Sequence, residues 1–588
     1  MNLDDNGSNS ARAAAIAAHE ITRRNALRFG ALGLGGVGLS AFLAACGTNN
    51  TSTPSSSASS APAPAGSVAG GSSAPAGTTV AGSAAASGSA GSSGAASASG
   101  AAVVPAGKSG GNLIIARAQD SVDFDKTMVF SNASIWVYVQ IWDTLTIGSK
   151  DGRTVEPWLA TSWTQSADKL TWTFKLRTDV KFSDGTPMTS ADVKFSLDEA
   201  SSTKGGWEFI NSAIASITTP DPHTVVIKTK YQWAPLLADL ACPSNGIVPN
   251  KYAGRAKKAF YTSPVGTGPF VWDTWNKGSK LTLKKNTNYW RPGLPYLDSV
   301  SWQVVPDDNT RNVMIQGSTA QINENPPFST IEQLKSVSGA AVALFPSTRT
   351  DYILMNEKRP PYDDVHVRRA VSYAIDRVSL VKTVLFGNGT PANSLLMPTV
   401  PFYDKDTPGQ TYDMTKAKAE MALSKVPKGF TTTFLAASGD SADAEIAQIL
   451  QASLKELGIT MSITNSDPSA VHDLQNASNY DISHSYWTMD IADPDELVQF
   501  AVLPSGGGHS FDTNYNSAAA QSLATQAEKT FDAATRQTLY SKLQALLAED
   551  AFLPPLFYQP FPYAMRTSVQ NFFVKPTGLY DMAVVSLA

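Results

Sequence analysis

Residues 47–107 contain no charged and no aromatic side chain and consist almost wholly of Ser, Ala, Gly, Thr, Pro, Val and Asn. Such a stretch cannot bury enough apolar area to offset the entropy of ordering it. It therefore reads as a tether, and for about 60 residues the flexible-coil relation gives an r.m.s. reach on the order of 40 Å. Every Trp and Tyr lies beyond residue 130, so the chain divides into a short head, a tether and a folded body that starts near residue 111. The chain as a whole has 588 residues, 42% of them hydrophobic, enough for a large core and more than one domain. A formal charge of −4 argues against nucleic acid as a partner. Cys46 and Cys242 are the only cysteines, which excludes a disulfide framework and a thiol-built metal centre.

In the head, Arg23 and Arg24 stand just ahead of a mild apolar run from Phe29 to Ala45 that is thinned by Gly30, Gly33, Gly35, Gly36 and Gly38. The run is a poor permanent span of a hydrocarbon layer about 30 Å thick and reads as a processed export signal. Its arginine pair resembles a twin-arginine signal, with Thr22 and Ala26 near the places where that pattern favours Ser and Phe. The run ends in Leu43-Ala44-Ala45-Cys46, which resembles the lipobox of bacterial lipoproteins. The resemblance implies cleavage before Cys46 and acyl chains on that residue, an anchor to the outer face of the cell membrane on the periplasmic or cell-surface side.

The body reads as mixed α/β. Strand-like alternation occurs at 169–176, 224–228, 280–284, 299–305 and 352–355, and helical periodicity at 365–376, 415–425, 441–457 and 532–549. Ser441 is the expected cap of the third helix, Gly458 its stop, and residues 459–463 a following strand. No Walker phosphate loop, His-Glu-x-x-His or Gly-x-Ser-x-Gly elbow occurs, and no two of the six histidines stand three or four residues apart. The expectation is a protein that is not an enzyme and uses neither metal nor cofactor. Gly266 and Gly268, in Pro-Val-Gly-Thr-Gly-Pro-Phe, fit a structural turn better than a phosphate cradle, because Pro269 stands where a helix would begin.

The segments Pro157 to Trp163 and Phe174 to Phe195 form a strand, an Asp184-Gly185 turn and a helix opened by Thr189-x-x-Asp192. Together with Pro264 to Phe270, Asn288-Tyr289-Trp290, Tyr352 to Asn356, Pro361 to Asp364 and Val367 to Arg377, they resemble, in order, the family 5 extracellular solute-binding proteins. These are the oligopeptide and dipeptide receptors of ABC importers. The resemblance implies an α/β, two-lobed periplasmic-binding-protein-like fold of the large class II type, with an extra subdomain in the first lobe. The expected division is 1–45 signal peptide, 46–110 lipidated Cys46 and disordered linker, 111–150 lobe I, 151–270 its extra subdomain, 271–345 lobe I, 346–555 lobe II and 556–588 a return to lobe I. On the helix beginning near 365, His366, Arg368 and Arg369 read as a solvated or salt-bridged face.

The stretch Tyr480 to Glu496 is the most informative. A strand is expected to end near Trp487 and a helix to open at Pro494, with Asp493 as cap and Asp495 and Glu496 in its first turn. Asp490 falls in the loop between them, at the carboxyl end of a strand, where α/β lobes place their ligand crevices. The segment resembles the Trp-x-x-Asp-x-x-Asp/Glu-Pro stretch of peptide receptors, which implies that Asp490 pairs with a peptide's α-ammonium group. Trp487 stands either beside a ligand side chain or in the core.

The expected function is capture of di- or oligopeptides by lobe closure and delivery to a membrane permease with its ATPase, the membrane being reached through a lipid anchor. One rival keeps the fold and changes the cargo to a nickel complex, oligosaccharide or opine. Others are a secreted hydrolase, which would turn substrate over, and a sensory lipoprotein that binds without transport.

Overall fold

The computed structural model describes residues 105–503 and 510–588. Arg23, Arg24, Cys46 and the tether up to residue 104 lie outside the described residues, and the expectations about export and lipidation lie there with them. Among the described residues no helix is long and apolar enough to cross a membrane.

Three sheets organise the body. The first has seven strands, in spatial order 340–345, 561–566, 322–324, 112–117, 299–304, 280–285 and 270–276. Its centre is the strand Asn112–Arg117, which pairs in parallel with neighbours on both sides, Ile115 standing opposite Trp302 and Ile322. Leu113, Ile115, Val300, Trp302 and Ile322 are fully buried and form the middle of the core beneath it. The strand Phe561–Arg566, close to the end of the chain, is inserted between two earlier strands of this sheet. The second sheet has six strands in the order 390–391, 555–558, 349–355, 482–488, 431–437 and 460–466. In it, Thr431–Ala437 and Thr460–Ser466 run parallel on either side of the helix Ser441–Lys455 in a βαβ crossover. The third is an antiparallel sheet of strands 160–165, 171–176, 224–229 and 214–221, covered by the helix Ser190–Ser202. Its own core holds Trp172, Phe174, Val193, Leu197, Val225 and Ile227.

Among the described residues two short connections join the first sheet to the second, 346–348 and 559–560. They are tied together, since the Ser347 hydroxyl donates to the Gln559 carbonyl. Thr348 reaches both lobes, its hydroxyl donating to the Met489 carbonyl at 2.9 Å and its N–H to the Pro576 carbonyl at 2.7 Å.

Local caps fix the helix boundaries. Asp440 caps the helix Ser441–Lys455 through N–H groups of Ala442 and Asp443, so the capping residue is one position before the expected Ser441. Its backbone is extended and its carboxylate can take two donors, whereas Ser441 is already helical. The helix expected over 365–376 runs Val365–Tyr373, and a separate helix, Arg377–Val384, follows it, capped by Asp376, which accepts the Ser379 N–H. Asp192 accepts the Thr189 N–H at 2.7 Å, the reciprocal half of the expected capping box. His366 pairs with Glu420, Arg368 with Glu357 and Arg369 with Glu549, so that face is salt-bridged. Gly266 and Gly268 lie against the backbone of Gln140 and Ile141, where a Cβ at residue 266 would stand 2.0 Å from the Ile141 carbonyl oxygen. Close packing accounts for these glycines.

Candidate functional site

The strand Ile482–Thr488 occupies the middle of the second sheet, paired antiparallel to Arg349–Met355 and parallel to Thr431–Ala437. An ionic brace fixes it: His484 lies between Asp443, at 2.5 Å, and Asp351, at 3.2 Å, and Arg349 binds Asp351 from the other side. Burial alone would lower the His484 pKa, yet the two carboxylates hold the ring protonated, pushing it up to about 10. From this strand the chain enters the turn 489–494 and then the helix Asp495–Val502.

Glu496 shapes that turn. One of its oxygens accepts the N–H groups of Asp490, at 2.8 Å, and Ile491, at 3.2 Å, while the other accepts the Trp487 indole N–H at 2.9 Å. A buried carboxylate with three donors is well satisfied. Even so, burial pushes its pKa up to about 7. The turn it closes presents Asp490 to a cavity of about 800 Å³, a figure that includes space open to solvent.

Asp490 is 5% exposed, and its Oδ1 is buried with no hydrogen-bond partner. Burial, and then the like charge of Glu496, raise its pKa well above the usual carboxylate value. The turn after the second sheet's strand Ile482–Thr488 contributes Asp490, Ile491 and Ala492 to the cavity, and the rest of the wall comes from residues within 139–158, 241–243 and 575–581 together with Pro269 and Tyr289. Two of these wall groups are already engaged. Asp143 accepts the indole N–H groups of Trp158 and Trp290, at 2.6 and 3.1 Å, and burial still raises its pKa. Asp581 holds Arg291 at 2.6 Å. Gln140 stiffens the wall by donating to the Tyr580 carbonyl and accepting the Met582 N–H. Lys575 lines the cavity and donates to the Gly148 carbonyl at 2.6 Å.

Trp487 is half-buried and is not among the cavity-lining residues; it stacks on Phe500 with ring centroids 4.7 Å apart. Phe500 in turn meets Phe209 and Phe130, so an aromatic array ties the helix Asp495–Val502 to the 105–270 region. The helix begins at Asp495 with Pro494 as its N-cap, one position after the expected Asp493; the Asp493 carboxylate accepts the Asp495 N–H at 3.0 Å and pairs with Arg536 at 2.6 and 2.8 Å. Sequence reasoning missed Glu496 as the organiser of the turn, and it missed Asp143 and Lys575 in the opposite wall. A signal for Glu496 was present, an acid six residues beyond Asp490 in a helix's first turn; for the other two no local pattern marks the site.

Comparison with known proteins places this geometry among binding proteins. Residues 154–509 match the model for bacterial extracellular solute-binding proteins, family 5 Middle. The glutathione-binding protein GsiB of Escherichia coli strain K12 is 31% identical over 431 residues, covering 71% of this chain and 83% of the relative. The Helicobacter pylori periplasmic binding protein DppA, solved with the peptide STSA, superposes with a TM-score of 0.73 at 28% identity, covering 82% of this chain and 98% of that one. The Bacillus subtilis oligopeptide-binding protein AppA, solved with a nonapeptide, gives a TM-score of 0.73 at 25% identity, with coverages of 82% and 100%.

Proposed function

The chain belongs to the bacterial extracellular solute-binding proteins of family 5, and from that premise we propose that it captures short peptides for an ABC importer, with Asp490 receiving the peptide's α-ammonium group. One observation carries the reading: a carboxylate oxygen buried and without a hydrogen-bond partner, on the wall of a cavity that both lobes line. Burying such a group without a partner costs free energy that a ligand's ammonium recovers as a charge-assisted hydrogen bond. Recognition of the main-chain amine is indifferent to side chains, which suits a receptor for peptides of varied sequence.

The mechanism is a population shift. A ligand that touches Asp490 from the second lobe and the 139–158 wall from the first favours the closed arrangement over the open one, the short connections 346–348 and 559–560 serving as hinge. The closed form is then what the permease and its ATPase recognise. Glu496 and Trp487 position the Asp490 turn. On the same reading lobe II spans 346–555, lobe I takes 111–150, 271–345 and 556–588 with its extra subdomain at 151–270, and acyl chains on Cys46 keep the body at the outer face of the membrane. GsiB and the two solved relatives, named for glutathione, peptide and oligopeptide ligands, support a peptide cargo.

The test is mass spectrometry of small molecules released from the purified protein by denaturation, followed by calorimetric titration with di-, tri- and tetrapeptides and glutathione. Co-purified peptides and saturable binding support the reading. A released nickel complex, sugar or opine, with no peptide bound, overturns it, and turnover of a peptide or ester would contradict a binding function.

A further inference from the structure

Four buried carboxylates meet where segment 231–239, just after the third sheet's strand 224–229, lies against three helices of the second lobe, Asp495–Val502, Ala518–Lys529 and Ala533–Glu549. Asp239 comes from the first side and Asp493, Asp495 and Glu528 from the second, and none is more than 6% exposed. The sides touch through the Ala234 N–H on the Glu528 carbonyl at 2.8 Å, Phe531 on Trp172, and the Lys529 ammonium 4.8 Å from the centre of the Tyr231 ring. The buried cation beside these acids is already spent. Arg536 grips Asp493 and also donates to the Ala527 carbonyl, at 3.1 Å, and to the Tyr540 hydroxyl, at 3.4 Å. Asp239 accepts the Trp233 indole N–H and Asp495 the Gln499 amide, each through one oxygen. The other oxygen of each, and one oxygen of Glu528, is buried without a hydrogen-bond partner.

An ionised carboxylate can only accept, whereas its protonated form brings an O–H to donate. A seam that holds three unpartnered acceptor oxygens among like charges therefore favours the protonated acids. A metal ion would answer the same need, but among the described residues no group of three or more acids, histidines or cysteines is arranged to hold one. We propose that this seam is a proton-operated clasp: its acids shut segment 231–239 against the second lobe when protonated and push the two apart when they ionise, so that external pH sets the balance between closed and open forms. This rests on the two-lobed closure above and not on the identity of the cargo. Burial raises Asp239 and Asp495 well above the ordinary carboxylate value and pushes Glu528 up to about 8, with Lys529 and Arg536 opposing the last of these shifts. Tyr231 and Tyr540, which also face the cluster, are raised by burial and stay neutral. In the open form the acids are hydrated and titrate near about 4, so the closed form is favoured in acid and lost as pH rises through the seam's raised values. While the seam is shut in the ligand-free protein, cargo exchanges protons at Asp490 alone.

The experiment measures, by electron spin resonance, the distance between nitroxides on Ala167→Cys and Ala534→Cys, exposed positions on the two sides of the seam, in the full chain carrying Cys46→Ser; Cys242 is fully buried. Without ligand, one short distance is expected at pH 5. A longer one should replace it toward pH 9, the closed-to-open ratio falling by up to about tenfold per pH unit for each acid that ionises. Circular dichroism separates opening from unfolding. Glu528→Gln should move the midpoint upward, and Asp239→Asn with Glu528→Gln, neutral shapes of the protonated acids, should keep the distance short to pH 9. A wild-type distance that ignores pH, or a pH response undiminished in the double variant, overturns the clasp. Closure restored at pH 9 by millimolar Ca²⁺ would replace protons by a metal ion and overturn it as well. A distance that ignores pH but shortens with peptide sinks the clasp alone, whereas one that ignores both overturns lobe closure itself.

Discussion

Two buried carboxylates three residues apart, Asp490 and Asp493, are settled in opposite ways. Asp493 is gripped by both terminal nitrogens of Arg536. Asp239, Asp495 and Glu528 crowd around that pair, all buried, and across the same seam the Ala234 N–H donates to the Glu528 carbonyl at 2.8 Å. This is a closed joint between the second lobe and segment 233–239, with its cation supplied by the chain. Among the described residues Asp490 has beside it the like charge of Glu496, and it lines the cavity. The contrast teaches where the fold supplies its own counter-charge and where it leaves one to be brought in.

The largest effect expected from breaking this contrast is at the joint. Arg536→Met leaves Asp493 buried without a cation and should cost about 3–5 kcal/mol of folding free energy in urea denaturation. A loss under about 1 kcal/mol would mean the joint is solvated and unlike what its burial indicates. Asp490→Asn should act oppositely. Stability stays level or rises, because a buried acid that the fold leaves without a partner is replaced by a neutral amide of the same shape, while affinity for a free-amine peptide falls by about 2 kcal/mol or more in calorimetry.

Proton linkage sharpens the comparison. Raised carboxyl pKa values favour the folded state below the unfolded values near 4, and this contribution is lost as pH rises through the folded values, about 7 for Glu496 and about 8 for Glu528. The ligand-free protein should therefore lose stability between pH 5 and 8, read as falling denaturation midpoints. His484, pushed up to about 10, adds a loss in the same direction at alkaline pH. Peptide binding has the other sign. An incoming ammonium favours ionised Asp490, whose pKa burial raises, so protons are released and affinity rises with pH as long as that carboxyl is protonated in the free protein, by at most about tenfold per pH unit. Calorimetry in buffers of different ionisation enthalpy reads the release directly, and proton uptake would contradict the assignment. The smallest change is Trp487→Phe, which keeps the stack on Phe500 and deletes the bond to Glu496. It should weaken binding by about 0.5–1.5 kcal/mol with little change in stability.

Much of this architecture was legible along the chain because its signals are local. The alternation around Trp172 and Phe174, the Asp184-Gly185 turn, the Thr189 and Asp192 pair and the strand ending near Trp487 each depend on neighbours within a few residues. The capping position at 440 was misread by one residue, since Asp440 and Ser441 are both good caps and only backbone conformation chooses between them. The opposite wall was illegible for a different reason. Lys575 reaches the cavity because the strand Phe561–Arg566 is threaded between strands formed more than 200 residues earlier, and Asp143 is tied down by Trp158 and Trp290, brought together by packing of separate segments. Such convergence is set by topology. Local pattern could show the acid at 490, and only the fold could show that no described residue pairs with it.

The central claim is that the carboxylate of Asp490 is completed by a ligand's ammonium group, and a thermodynamic cycle tests it most directly. Affinities of wild type and Asp490→Asn are measured for one peptide with its amine free and with it acetylated. The account predicts a strong coupling: acetylation costs the wild type at least about 30-fold, equal to about 2 kcal/mol, and costs the variant almost nothing. Equal penalties in the two proteins would show that the amine is held elsewhere and would contradict the account.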